Sequence, residues 1–264
     1  MPVSSEMLDG GVSLIAMSPE ASSNTFSSGF FDPLLVAIES SLEEEGCRSV
    51  VLTGSGKFFS AGGNIKEFSK AIEDGRIAEL VQSMTDRLHP LLLRIRTSGT
   101  VFVCAMNGHA AGGGLGLALS ADYRICCPEA KLASAFFNLG LSPDGGMTWL
   151  LPRLVGNQTA RRFFFNGETW TANEALEYGA VDEVVESEKL VSRAIEVARD
   201  WGSWSINSRR GTKQLLDAST STFFETQLQF EQSLMVASSK TTDFAEGVRS
   251  FHEKTKPIFI AEEE

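Results

Sequence analysis

Apolar residues recur along the chain in two alternating rhythms. Short continuous runs, VSLIAM at 12–17, VVLTG at 50–54, TVFVCAM at 100–106, DYRICC at 122–127 and VDEVV at 181–185, have the length and β-branched content of strands. Between them, apolar positions three and four apart predict helices over roughly 30–45, 66–97, 114–121, 144–154, 158–165, 172–178 and 187–201. Alternation of this kind predicts an α/β fold. After about residue 205 the strand signals stop. Helices are predicted there over approximately 207–219, 222–239 and 241–254, so the chain divides into a core, 1–204, and a helical C-terminal region, 205–264. No repeat, low-complexity segment or long linker interrupts this order.

With 264 residues, 42% of them hydrophobic, the chain can bury a large core. A net charge of −11 excludes the clustered positive surface that a nucleic-acid partner requires. No apolar run approaches the length of a membrane span, and the opening MPVSSEMLDG lacks the basic and apolar regions of a signal peptide. A cytoplasmic protein with no membrane partner is expected. The four cysteines, Cys47, Cys104, Cys126 and Cys127, lack paired metal spacing and lie mostly in apolar runs, which predicts buried free thiols. With only His89, His109 and His252 available, no metal site is expected.

The glycines carry the candidate chemistry. In TGSGKFFS, Gly56-Lys57 is followed by Phe58 where a phosphate loop needs Ser or Thr, and counting from Gly112 the third glycine of a dinucleotide fingerprint falls on Leu117. Neither nucleotide motif is present. There remain two Gly-rich turns, SAGGNIKEF at 60–68 and NGHAAGGGLGLAL at 107–119, each predicted between a strand and a helix. Two such turns can each aim one backbone N–H at a single oxygen, forming an oxyanion hole. They can equally be tight strand-to-helix connections whose glycines serve the backbone alone.

The segments GSGKFFSAGGNIKEF, VCAMNGHAAGGGLGLALSADYRIC, AFFNLGLSPDGGMTWLLPRLVG and NGETWTANEALEYGAVDEVV resemble, in order and spacing, the successive signatures of the crotonase family of enoyl-CoA hydratases and isomerases. The likeness runs from about residue 12 to residue 259. It implies a spiral of ββα units with a helical C-terminal region, an acyl-CoA thioester as substrate, no cofactor beyond the CoA moiety, and a homotrimer or hexamer assembled through 205–264. By motif position Gly63 and Gly113 would supply the two oxyanion amides, and Ala61, Gly62, Asn64, Ile65, Lys66 and Lys254 would lie along the CoA. A solvated surface lysine is the alternative for Lys66 and for Lys254, and Asn64 stands where an aspartate is usual.

Departures from the family pattern bear on the reaction. The two glutamates of the hydratases fall here on Gly116 and Phe136, neither of which can transfer a proton. In SPDGG, Asp144 occupies a place similar to the carboxylate base of some enoyl-CoA isomerases, and the PDGG form resembles the ring-epoxide isomerases of phenylacetyl-CoA. The alternative is an ordinary helix start, with Ser142 as cap, Pro143 at the first position and Asp144 in the first turn. The resemblance therefore implies an isomerase using Asp144, with a hydratase of displaced groups or a non-catalytic acyl-CoA binder as alternatives. A catalytic role for His109 is the less favoured reading, and Asp122 reads as a structural hydrogen-bond partner.

Overall fold

The strand runs form the spine of one six-stranded sheet, and a second, shorter sheet lies beyond their ends. The computed structural model describes residues 2–18, 23–27 and 29–260. β1 (Val3–Leu8) and β2 (Val12–Met17) form a hairpin whose turn holds Gly10 and Gly11 at positive φ. β3 (Thr25–Phe26) leads into α1 (Phe31–Glu43). β4 (Ser49–Thr53), β5 (Phe58–Ser60) and β6 (Gly62–Gly63) then precede α2 (Ile65–Glu73) and α3 (Ile77–Thr97). β7 (Val101–Met106) and β8 (His109–Ala111) precede α4 (Gly113–Leu119), and β9 (Tyr123–Cys126) and β10 (Lys131–Ala133) precede α5 (Met147–Val155) and α6 (Asn157–Phe165). β11 (Thr169–Thr171), α7 (Ala172–Tyr178), β12 (Glu183–Val184) and α8 (Leu190–Gly202) complete the core. α9 (Ile206–Ser219), α10 (Phe224–Ser238) and α11 (Thr242–Glu253) follow.

The main sheet has the order β1-β2-β4-β7-β9-β12 and is parallel except for the opening hairpin. Every residue of β4 and β7 is buried, as expected of parallel strands covered on both faces. The second sheet, β11-β10-β8-β5, collects the second strand of successive units, β5 following β4 in the chain, β8 following β7 and β10 following β9. A ββα unit recurring in this way is the spiral fold expected from the resemblance. α1 and α8 pack on the main sheet, placing Ile15, Leu34, Ile38, Leu52, Phe102 and Val103 in one core.

The structure corrects three expectations of detail. The helix expected over 66–97 is two helices, because Asp74-Gly75 stops the first, with Gly75 at φ +67. The helix expected from 144 begins at Met147, with Gly145 and Gly146 both left-handed before it, so Asp144 is not in a first turn and Ser142 caps no helix. The strand β1 has no counterpart in the sequence reading, because only Val3 of its six residues is buried and an edge strand exposed on this scale shows no apolar alternation.

Candidate active site

The two Gly-rich turns lie against each other. A Cβ placed on Gly62 would stand 2.8 Å from the carbonyl oxygen of Ala111 and 3.0 Å from the amide nitrogen of Gly113, so only glycine permits this approach. Gly62 also has φ +75, and its amide donates to Ser60 Oγ at 3.2 Å. Side chains at the neighbouring positions are excluded as well: a Cβ on Gly63 would lie 2.5 Å from the ring of Phe68, and one on Gly113 would lie 2.8 Å from the ring of Phe26. Gly113 opens α4, so its N–H is among the first-turn donors that have no partner within the helix.

A cavity of about 840 Å³ opens beside this junction. Ala61, Gly63, Asn64, Ile65 and Lys66 line it from the first turn, Gly112 and Gly113 from the second. Phe26, Phe31, Phe68, Met84, Leu88 and Phe136 make its walls apolar. Phe26 stacks on Phe31 with centroids 4.6 Å apart, and the Arg87 guanidinium, paired with Asp32, sits 5.1 Å above the Phe31 ring. Asn64 is the N-cap of α2: its Oδ1 accepts from the amides of Lys66 at 3.0 Å and Glu67 at 3.4 Å. An amide oxygen thus performs the capping for which aspartate is also suited.

Among the described residues that line the cavity, Asp144 is the only carboxylate. Its loop is pressed onto α4, because Gly145 has taken the space beside Gly116. A Cβ on Gly116 would lie 2.6 Å from the Gly145 carbonyl oxygen and 3.0 Å from its Cα. The position that carries a glutamate in hydratases therefore has no room for any side chain here. Left-handed Gly145 and Gly146 bend the chain so that Asp144 reaches the rim while Met147 enters the core.

One neighbour of Asp144 is not foreshadowed by sequence. His89, on α3, places Nε2 2.6 Å from Asp144 Oδ1. The two residues are 55 positions apart, and no local motif joins them. Val81, Met84, Thr85 and Leu88 form the α3 face that lines the cavity, and His89 stands one residue round the helix from it, 51% exposed against 36% for Asp144.

Other candidates lie elsewhere. Lys254 is exposed in the left-handed C-cap of α11 and is not among the cavity's lining residues, nor is buried Gly62. His109 is turned edge-on to Phe58, and burial, followed by the charges of Lys57 and Lys131, pushes its pKa down. Phe137, which with Phe136 is the aromatic pair that the sequence offers for the pocket beside Asp144, does not line the cavity; it meets Phe165 in an edge contact at the surface. Asp122 is structural: it accepts from the Phe102 amide and from Lys213 Nζ, each at 2.8 Å. The four cysteines are buried and free. No helix among the described residues is long and apolar enough to cross a membrane.

Comparison with known proteins agrees with this fold. The family described as enoyl-CoA hydratase/isomerase matches residues 8–262. The trans-2-decenoyl-[acyl-carrier-protein] isomerase of Streptococcus mutans is 29% identical over 96% of this chain and 95% of its own length. The 1,2-epoxyphenylacetyl-CoA isomerase of Escherichia coli is 30% identical over 96% of each chain. Among solved structures, the enoyl-CoA hydratase of Bacillus anthracis superposes with a TM-score of 0.90 at 30% identity, over 99% of this chain and 100% of that one.

Proposed function

The chain belongs to the enoyl-CoA hydratase/isomerase family, also called the crotonase family, and from that premise we propose that it is an acyl-CoA isomerase that moves a proton with Asp144. The thioester oxygen would accept hydrogen bonds from the amides of Gly63 and Gly113. Withdrawal of electrons onto that oxygen acidifies the carbon next to the carbonyl and, through a conjugated double bond, the γ-carbon. Asp144 takes a proton from one of these carbons, the electron pair enters the enolate, and the proton returns to the other carbon. Two fixed amides favour this step because they meet the charge where it develops, an effect of about 3 kcal/mol per donor. Phe26, Phe31, Phe68 and Phe136 would surround the acyl group, and Lys66 stands where it can meet a CoA phosphate. The chemistry calls for no group beyond the CoA of the substrate.

The observation that carries this reading is the exchange of carboxylates around the cavity: Asp144 lines it, whereas Gly116 is sealed by the backbone of Gly145. A second reading, hydration with Asp144 in place of the missing glutamates, has one observation in its favour, the 36% exposure of that carboxylate, which gives water access.

The test follows double-bond migration and hydration separately on short, long and aromatic enoyl-CoA esters. Asp144→Asn keeps the shape of the side chain and removes the proton acceptor, so isomerisation should fall by roughly 10²–10⁴-fold with little change in KM. An Asn variant that keeps most of its isomerase rate, or a wild type that only hydrates, would overturn the assignment. Gly113→Pro, which removes one amide donor, should lower turnover by about 10²-fold or more in protein verified as folded. Binding of the esters without turnover by the wild type would support a non-catalytic acyl-CoA binder instead.

A further inference from the structure

Among the described residues, His89 is the one titratable side chain with a hydrogen bond to Asp144, and nothing in the reaction described above uses it. Its position is specific in three respects. Nε2 meets only Oδ1, at 2.6 Å, which leaves Oδ2 for the substrate. The imidazole is half exposed, so its far edge touches water. α3 also supplies Leu88 and Met84 to the cavity wall, so the helix that shapes the acyl site also carries the histidine.

We propose that His89 is the positioning residue of this site and the route by which the proton held on Asp144 exchanges with water. The inference rests on the isomerase reading of Asp144. In the resting site Nε2–H donates to Oδ1 and fixes the carboxylate with Oδ2 towards the cavity. After Oδ2 takes the substrate proton, water takes the Nε2 proton and returns one to Nδ1, giving the Nδ1–H imidazole, and rotation about Cβ–Cγ turns the O–H towards the freed Nε2. Nε2 accepts that proton as Nδ1 releases its own to water, which regenerates the carboxylate and the Nε2–H form. The reverse passage brings a water-derived proton back to Asp144, and it is delivered to the second carbon of the enolate. One proton leaves and one enters, so the isomerisation is balanced while the product acquires hydrogen from solvent.

Two probes in D₂O test this: trans-3-hexenoyl-CoA, with deuterium per turnover read by mass spectrometry, and phenylacetyl-CoA, whose α-proton exchange is followed by NMR and needs no isomerisation. His89→Ala should lower kcat on the order of 10- to 100-fold through misplacement of the carboxylate, with KM within about twofold. It should also incorporate less deuterium per turnover, and added imidazole should restore the label. His89→Gln, whose amide nitrogen reaches about as far as the imidazole Nε2, can still donate to Oδ1 but cannot relay a proton, so it should recover most of kcat while label incorporation stays low. A His89→Ala protein with wild-type kcat and wild-type labelling, or with a defect confined to KM, overturns the proposal. The outcomes separate the two levels. If Asp144→Asn is inactive while His89→Ala behaves as wild type, only the role of His89 falls. If Asp144→Asn keeps the isomerase rate, the isomerase reading falls and the relay with it.

Discussion

Gly116 decides more about the active site than its size suggests. It is legible in the sequence as a departure from the hydratase pattern, but its physical consequence, contact with the Gly145 backbone, depends on a helix and a loop about thirty residues apart. Gly116→Ala puts a methyl group 2.6 Å from the Gly145 oxygen, so we expect a loss of about 1–3 kcal/mol in denaturant unfolding and a fall in isomerase rate as the Asp144 loop shifts. Full stability and activity in that variant would show that the loop yields freely. The larger Gly116→Glu should be less stable still and should not gain hydratase activity. The cysteines give a second test at this scale. Burial pushes the thiol of Cys47 up to about 11 and that of Cys126 up to about 12, and it raises Cys104 and Cys127 as well. Because the thiolate is the reactive form, native protein at pH 8 should label with a thiol reagent far more slowly than unfolded protein, in which all four cysteines react. Rapid stoichiometric labelling of the native state would contradict this burial.

Among the elements, α9 is tied to the core by one buried ion pair. Lys213 Nζ reaches Asp122 at 2.8 Å and also donates to the carbonyls of Ile95, at 2.7 Å, and Thr100, at 3.2 Å. Burial lowers the Lys213 pKa, with the charge of Asp122 opposing that effect. Removing one partner of such a pair leaves the other desolvated and uncompensated, so Lys213→Ala should cost about 3–5 kcal/mol in chemical denaturation. A cost below about 1 kcal/mol would mean that α9 relaxes and lets water in. Both residues are evident in the sequence as charges, and Asp122 already reads as a hydrogen-bond partner. Their pairing is not evident, since it joins the start of a sheet strand to a helix 91 residues later.

On the scale of the whole molecule, the C-terminal helices are underfilled by this single chain. α10 buries none of its fifteen residues, and Phe223 is 86% exposed. Phe224, Met235, Phe244, Val248 and Phe251 are exposed on the same helical region, and a separate open cavity of about 700 Å³ beside α9 is lined by Trp149, Trp201 and Trp204. Monomeric proteins rarely leave contiguous apolar surface on this scale. We propose that residues 205–264 assemble the chain into a trimer or hexamer. Light scattering at micromolar concentration should return three or six times the 28.6 kDa chain mass, and a monomeric mass would rule this out. Replacing Phe223 and Phe224 together by Ser should shift the distribution towards smaller species while leaving the main sheet folded.

The sequence by itself determined the α/β class, the apolar strand runs, the wholly helical C-terminal region and the two glycine turns. Each of these follows from local physics: continuous apolar runs suit strands covered on both faces, three-to-four spacing suits helices, and clustered glycine marks a close approach of backbone. Local physics also hid the edge strand β1, whose outward side chains carry no hydrophobic period. Only the tertiary structure decided which turns meet, that Asp144 stands in a left-handed loop ahead of α5, and that His89 closes on it from α3. Those contacts join residues tens of positions apart, where neither propensity nor periodicity acts, and they exist only because the ββα spiral brings successive loops to the same end of the sheet.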